Sequence, residues 1–409
     1  MKKVFYIIIG SVVLLGIFVG YILSYPCENP PSISFLKYIH NLKCKNVQES
    51  EKYGTLPKSG ELINTTSETT SKEKTSGEKK SQVGIVYDDK IRNYFINENG
   101  EIFVVDYFGN IIKINQEKNE VLNNTSFGYP KEVFFYPYSQ NDLKILINFS
   151  SFISVFDTQN KNWRQIPLNS FGANLGLDNN LFYFQKETAG VSIFKLNLSK
   201  ENSTPQKLIQ LNILDSQLIP KNKDEIFITS KSSSLVGGYV LLFNTKNKNL
   251  SSVFELNGLD FSWDPKTQNG LVLTSNELNR GGRLFWVNKD LKTKELSFIT
   301  LPNKCYFYQE VVEENNTKQA TSTPQDFMIC AVPRNQEILK NKYIIDDYLS
   351  YDLYTEDDVY RINLNNGLIN ILFSDQNKNF DMENLQFVKN KIFFINRYDK
   401  KLYVIDLNN

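Results

Sequence analysis

Residues 391–407 read KIFFINRYDKKLYVIDL. Two apolar runs, Ile392-Phe393-Phe394-Ile395 and Leu402-Tyr403-Val404-Ile405, are joined by a polar turn from Asn396 to Lys401. Branched and aromatic side chains suit a pleated, half-buried surface, and a polar turn lets the chain reverse in water, so the stretch reads as a β-hairpin. Similar phrases recur upstream at intervals of about forty residues, the mark of a radial or linear repeat rather than of a sandwich.

Outward from that hairpin, the same strand-turn-strand phrase occurs at Tyr94–Val105, Phe134–Ile147, Leu175–Phe184, Leu218–Thr229, Phe261–Thr274 and Leu385–Asn396. Lys304–Pro333 is the same unit opened by an insertion. A third strand with a polar turn follows each phrase, as in NIIKINQEKN or DVYRINLNNG, and then a shorter fourth, as in LINILFS. Four antiparallel strands per repeat, arranged radially, protect sheet edges, so the expected architecture is an all-β propeller of about seven four-stranded blades. The last repeat stops after its third strand, while VGIVY (Val83–Tyr87) precedes the first repeat as a spare strand. The expectation is that Val83–Tyr87 supplies the missing strand and closes the ring.

The N-terminal part is organised differently. Val4 to Leu23 carries no charge, long enough at about 1.5 Å per residue to cross the hydrocarbon core of a bilayer. Lys2 and Lys3 precede it, which by the positive-inside rule keeps the amino terminus in the cytoplasm and sends the rest across. The run ends in Tyr21-Ile-Leu-Ser-Tyr25-Pro26 with no small-x-small cleavage site, so an uncleaved anchor is expected. Residues 47–82 are mostly Glu, Lys, Ser, Thr and Gly, too polar to offset ordering entropy, and read as a flexible linker. The domain plan is residues 1–3 cytoplasmic, 4–24 transmembrane helix, 25–46 juxtamembrane, 47–82 linker and 83–409 propeller. The localisation expected is the cell membrane, single-pass, with the propeller extracytoplasmic and the membrane itself one partner.

Composition bounds the chemistry. Forty-six Lys and Arg face forty-five Asp and Glu for a formal charge of +1, which gives no field for nucleic acid. His40, the single histidine, lies outside the repeats, so the main domain lacks the commonest general base and metal ligand. Four cysteines, Cys27, Cys44, Cys305 and Cys330, all follow the apolar run; the favoured pairs are Cys27 with Cys44 and Cys305 with Cys330. There is no C-x-x-C and no histidine nearby, so no metal and no cofactor is expected.

The turn phrases SWDPKTQNGLVL (Ser262–Leu273) and YPYSQNDLKIL (Tyr136–Leu146) resemble the S-P-D-G strand-turn-strand signature of TolB-like and dipeptidyl-peptidase N-terminal-like propellers, with Trp263-Asp264-Pro265 in place of Ser-Pro-Asp-Gly. VYRINLNNG (Val359–Gly367) and LYVIDLNN (Leu402–Asn409) resemble the third-strand ending of the same family. The chain is also similar to membrane-anchored TolB-like bacterial proteins in its KC…CAVP pair and the acidic, tyrosine-rich stretch that follows it. The resemblance covers residues 83–409 and implies a binding or gating module rather than a reaction; the chain has no G-x-S-x-G elbow.

The longest loop between a second and a third strand, Arg334–Asp357, carries Tyr343, Asp346, Asp347, Tyr348, Tyr351 and Asp352. Loops of this length are usually functional, carboxylates take basic groups, and tyrosines give rigid contact area. The expected site is therefore a recognition surface on this loop for a protein or envelope component, with no catalytic residue assigned. The competing reading is a carbohydrate-active hydrolase using a carboxylate pair in the propeller channel, chemistry that needs no histidine.

Overall fold

The computed structural model describes residues 82–408, apart from 116–117, 124–126, 140–141, 189, 201, 214, 277 and 313–322. The expected membrane helix at Val4–Leu23, the linker and the Cys27–Cys44 pair lie outside these residues. No described helix is long and apolar enough to cross a membrane. The described residues fall within one unit, Tyr53–Asn409.

The fold is all-β. Five sheets have four strands and one has seven, and neighbouring strands are antiparallel throughout. The first unit illustrates the pattern: Ile91–Ile96, Ile102–Asp106, Ile111–Ile114 and Glu120–Val121, in that order across the sheet. Its second strand is buried along most of its length, as a strand packed on both faces must be. The seven-stranded sheet is two such units joined through one long strand, Leu250–Asp264. The chain turns inside that strand at Gly258, whose φ of +60° is open to glycine and where a Cβ would collide with the Ser275 side chain. Counted this way the described residues hold seven units.

The last sheet takes its outer strand from the other end of the chain. Gln82–Tyr87 pairs antiparallel with Leu402–Asp406, Val83 opposite Ile405 and Tyr87 opposite Leu402. The spare strand thus occupies the place left by the unfinished repeat. The last and first units also meet: the Tyr94 hydroxyl donates to the Asn384 carbonyl at 2.6 Å, and the Gln386 amide both accepts from the Ile96 N–H at 3.0 Å and donates to the Tyr94 carbonyl at 3.0 Å.

The core lies between sheets. Ile145 and Phe156 of the second unit pack on Val105 and Ile111 of the first, and an equivalent cluster fills each successive interface, ending with Phe393, Ile395 and Leu402 against Ile91 and Tyr94. Full burial of such a side chain contributes about 1.5–3 kcal/mol, which makes face-to-face packing of sheets the main stabilising term. Cys305 and Cys330 stand directly opposite on adjacent strands with Cα atoms 4.1 Å apart and form the expected disulfide.

Because successive strands are antiparallel, in the first six units the second and fourth strands end at one end of the sheet, the loop face, and the first and third strands end at the other. Gln82, the start of the completing strand, is at the opposite end, because it pairs with Asp406 rather than with Leu402.

Candidate functional site

The loop face is dominated by the insertion that follows Pro333. It is ordered by its own sequence. Asn335 caps a short 3-10 turn, Gln336–Asn341, by accepting from the Glu337 N–H at 3.1 Å, and a single helical turn, Ile344–Leu349, follows. Leu339, Ile344, Ile345, Tyr348 and Leu353 point inward and join the largest core cluster with Leu273, Leu284 and Trp286 of the fifth unit. An apolar stripe hidden among acidic residues thus turns a long loop into a strap.

The strap ties four units together. Asp346 accepts from the Ser233 hydroxyl at 3.1 Å and from the Ser234 backbone N–H, and the Ser234 hydroxyl accepts from the Ile345 N–H at 3.0 Å, all in the fourth unit. Gly281 of the fifth unit donates its N–H to the Lys342 carbonyl at 2.9 Å. At the other end Arg397 of the last unit donates to the Tyr348 carbonyl at 2.7 Å and the Leu353 carbonyl at 3.0 Å. Its guanidinium carbon lies 3.5 Å from the centre of the Tyr348 ring and 4.9 Å from those of Tyr351 and Tyr354. The tyrosines therefore cage a cation of the chain's own.

Beneath the strap is a group of charges sealed from water. Lys304 Nζ donates to Thr355 Oγ1 at 2.6 Å, Asp357 Oδ2 at 2.7 Å and Asp381 Oδ1 at 2.6 Å, and the lysine and both carboxylates are fully buried. Arg397 reaches the second oxygen of Asp381 at 2.7 Å. Burial opposes the charge on Arg397, yet Tyr348, Asp381 and Glu383 together raise its pKa above the usual value. Burial also raises the Asp357 carboxyl above the ordinary carboxylate range, against the pull of Lys304.

The six residues expected to form one surface do not converge. Tyr348 is buried and its hydroxyl is pushed well above its usual pKa by burial. Asp346 is engaged with the fourth unit, Asp347 accepts from the Tyr343 N–H at 3.1 Å, and Asp352 accepts from the Ser350 hydroxyl at 2.6 Å. Tyr343 lies half-buried beside Arg280, and only Tyr351 and Asp352 of the six are exposed.

Several aromatic and aliphatic side chains of the loop face are exposed. Phe108 (61% exposed) and Tyr129 (65% exposed) lean together in the first unit with ring centres 5.9 Å apart, and Phe127 sits edge-on to Phe152 and Trp163 beside them. Tyr354 stacks on Tyr398 at 5.1 Å where the strap meets the last unit. Leu168 and Leu278 (84% exposed) are loop residues of the same face, and Leu235 and Val236 lie near its end of the strand Ser233–Asn244. The opposite face shows Leu177, Val311 and Leu368. Sequence reading passed over Phe108 and Tyr129 because no motif marks them; the available signal was an aromatic residue in turns whose chemistry calls for polar ones, as in Asp106-Tyr-Phe-Gly109. Among the described residues no group of three acidic, histidine or cysteine side chains is arranged to hold a metal ion.

No protein-family model matches the chain, and no curated protein sequence matches it. Solved structures do. An oligogalacturonate lyase in complex with manganese superposes with a TM-score of 0.51 at 10% identity, covering 80% of this chain and 94% of that one. An oligogalacturonate lyase from Vibrio parahaemolyticus gives a TM-score of 0.49 at 9% identity over 79% of this chain and 90% of its own. The β-propeller domain of Cps50 (Swd1) from Myceliophteria thermophila gives 0.48 at 6% identity over 80% and 99%. At these identities the likeness is one of fold: the chain has a β-propeller fold, in keeping with the TolB-like turn phrases.

Proposed function

We propose that this chain is a non-catalytic interaction module whose partner docks on the loop face of a seven-bladed ring closed by Gln82–Tyr87. The observation that carries the reading is the one-sided distribution of exposed aromatic side chains: Phe108, Tyr129, Tyr354 and Tyr398 all lie on the face with the strap. Aromatic anchors on a rigid support are what protein interfaces use for binding energy, and exposed apolar side chains gathered on one face mark interaction sites. Anchored by Val4–Leu23 and displayed outside the cytoplasm, such a module has its loop face at the end of the propeller opposite Gln82. The cross-strand disulfide supports an oxidising compartment.

Carboxylate catalysis is the weaker reading, since the acidic pair under the strap, Asp357 and Asp381, is fully buried and held by Lys304 and Arg397. The test is crosslinking of the full-length anchored protein in its own membranes, with Phe108→Ser/Tyr129→Ser as the comparison. An adduct weakened at least about tenfold in the variant, at unchanged thermal stability, supports the proposal. An adduct of undiminished yield, or release of sugar from envelope glycans by the wild type, overturns it.

A further inference from the structure

The buried charges under the strap have a composition that ion pairing alone does not require. One amine, Lys304 Nζ, lies 2.7 Å from Asp357 Oδ2 and 2.6 Å from Asp381 Oδ1, with no solvent access to any of the three. The two carboxylates are held differently. Asp381 is anchored by Arg397 at 2.7 Å and by the Thr355 N–H at 3.3 Å. Asp357 accepts from Lys304 and from the Met382 N–H at 2.8 Å through Oδ2, whereas its buried Oδ1 has no hydrogen-bond partner among the described residues.

The geometry points to an intramolecular isopeptide bond between Lys304 Nζ and Asp357 Cγ, with Asp381 as the proton shuttle. A carboxylate oxygen at hydrogen-bond distance puts its carbon about 3.5 Å from the amine, within near-attack range, and the fold holds it there. Burial raises the pKa of Asp357, which favours the neutral carboxylic acid that an amine can attack.

The atoms balance without a co-reactant. Asp381 takes one proton from the Lys304 ammonium and passes it to an oxygen of Asp357. The freed lone pair on Nζ attacks Cγ. Asp381 carries a second Nζ proton to the same oxygen, which leaves as water, and the third proton remains on the amide nitrogen. Asp381 ends in the protonation state in which it began, and nothing is oxidised or reduced. The orphaned Oδ1 becomes the amide carbonyl. With the Cys305–Cys330 bridge, the bond ties the segment entering the sixth unit to both its second and its third strand.

The test is a peptide map of the full-length chain extracted from membranes, denatured, reduced and digested with trypsin. The expected result is no cleavage after Lys304 and a branched peptide joining the Lys304 and Asp357 segments, lighter by one water than their sum. Asp381→Ala, which removes the shuttle and keeps both reacting groups, is expected to lose the branched peptide while retaining the disulfide. If that variant fails to fold, the wild-type map still decides. Cleavage after Lys304 with two separate peptides of unmodified mass means an ion cluster only and overturns the proposal.

Discussion

Arg397 shows how much of the loop face depends on one side chain. The sequence offers it as a polar turn residue in a hairpin, yet it is almost wholly buried, paired with Asp381 and two carbonyls and enclosed by three tyrosines. Removing one partner of a buried pair leaves the other charge uncompensated, so Arg397→Ala is expected to destabilise the domain by about 3–5 kcal/mol in chemical denaturation. Arg397→Lys should recover little of this, because an ammonium cannot satisfy a carboxylate and two carbonyls with one planar fork or stack on Tyr348. A variant within 1 kcal/mol of wild type would show that the cage is incidental.

The strands were legible because their signals are local. Each phrase from Tyr94–Val105 to Leu385–Asn396 corresponds to the first two strands of a unit, and the disulfide partners fall opposite each other as their places on those strands imply. The pairing of Val83–Tyr87 with the last hairpin was legible too, from an unfinished repeat and a spare strand. It carries a direct prediction: without residues 82–87 the Leu402–Asp406 strand loses its outer partner, and limited proteolysis should cut the C-terminal hairpin well before the rest of the domain. Retained resistance would mean that the hairpin is held by the neighbouring blades alone. The strap was legible in length and composition but not in role. Its tyrosines announce contact area, and nothing in the sequence says that the group contacted is Arg397, about fifty positions further on. The Lys304 cluster was invisible for the same reason: Lys304, Asp357 and Asp381 lie far apart in the chain, and only the packing of the sixth and last units brings them together.

At the scale of the whole molecule the propeller has two unlike ends. One end carries the strap and the exposed aromatics; at the other the chain enters at Gln82. The strand that begins there does more than complete a sheet. A load applied between Gln82 and the loop face runs along the strand axis, so its backbone pairs to Leu402–Asp406 are stressed together, in shear, instead of opening one after another like a zip. Pulling from Gln82 against a grip on the loop face should therefore need a higher rupture force than pulling Gln82 against the C-terminus, where the same pairs peel apart from Asp406; equal forces in a single-molecule experiment would contradict it. The strand that closes the fold is also placed to be its mechanical clasp.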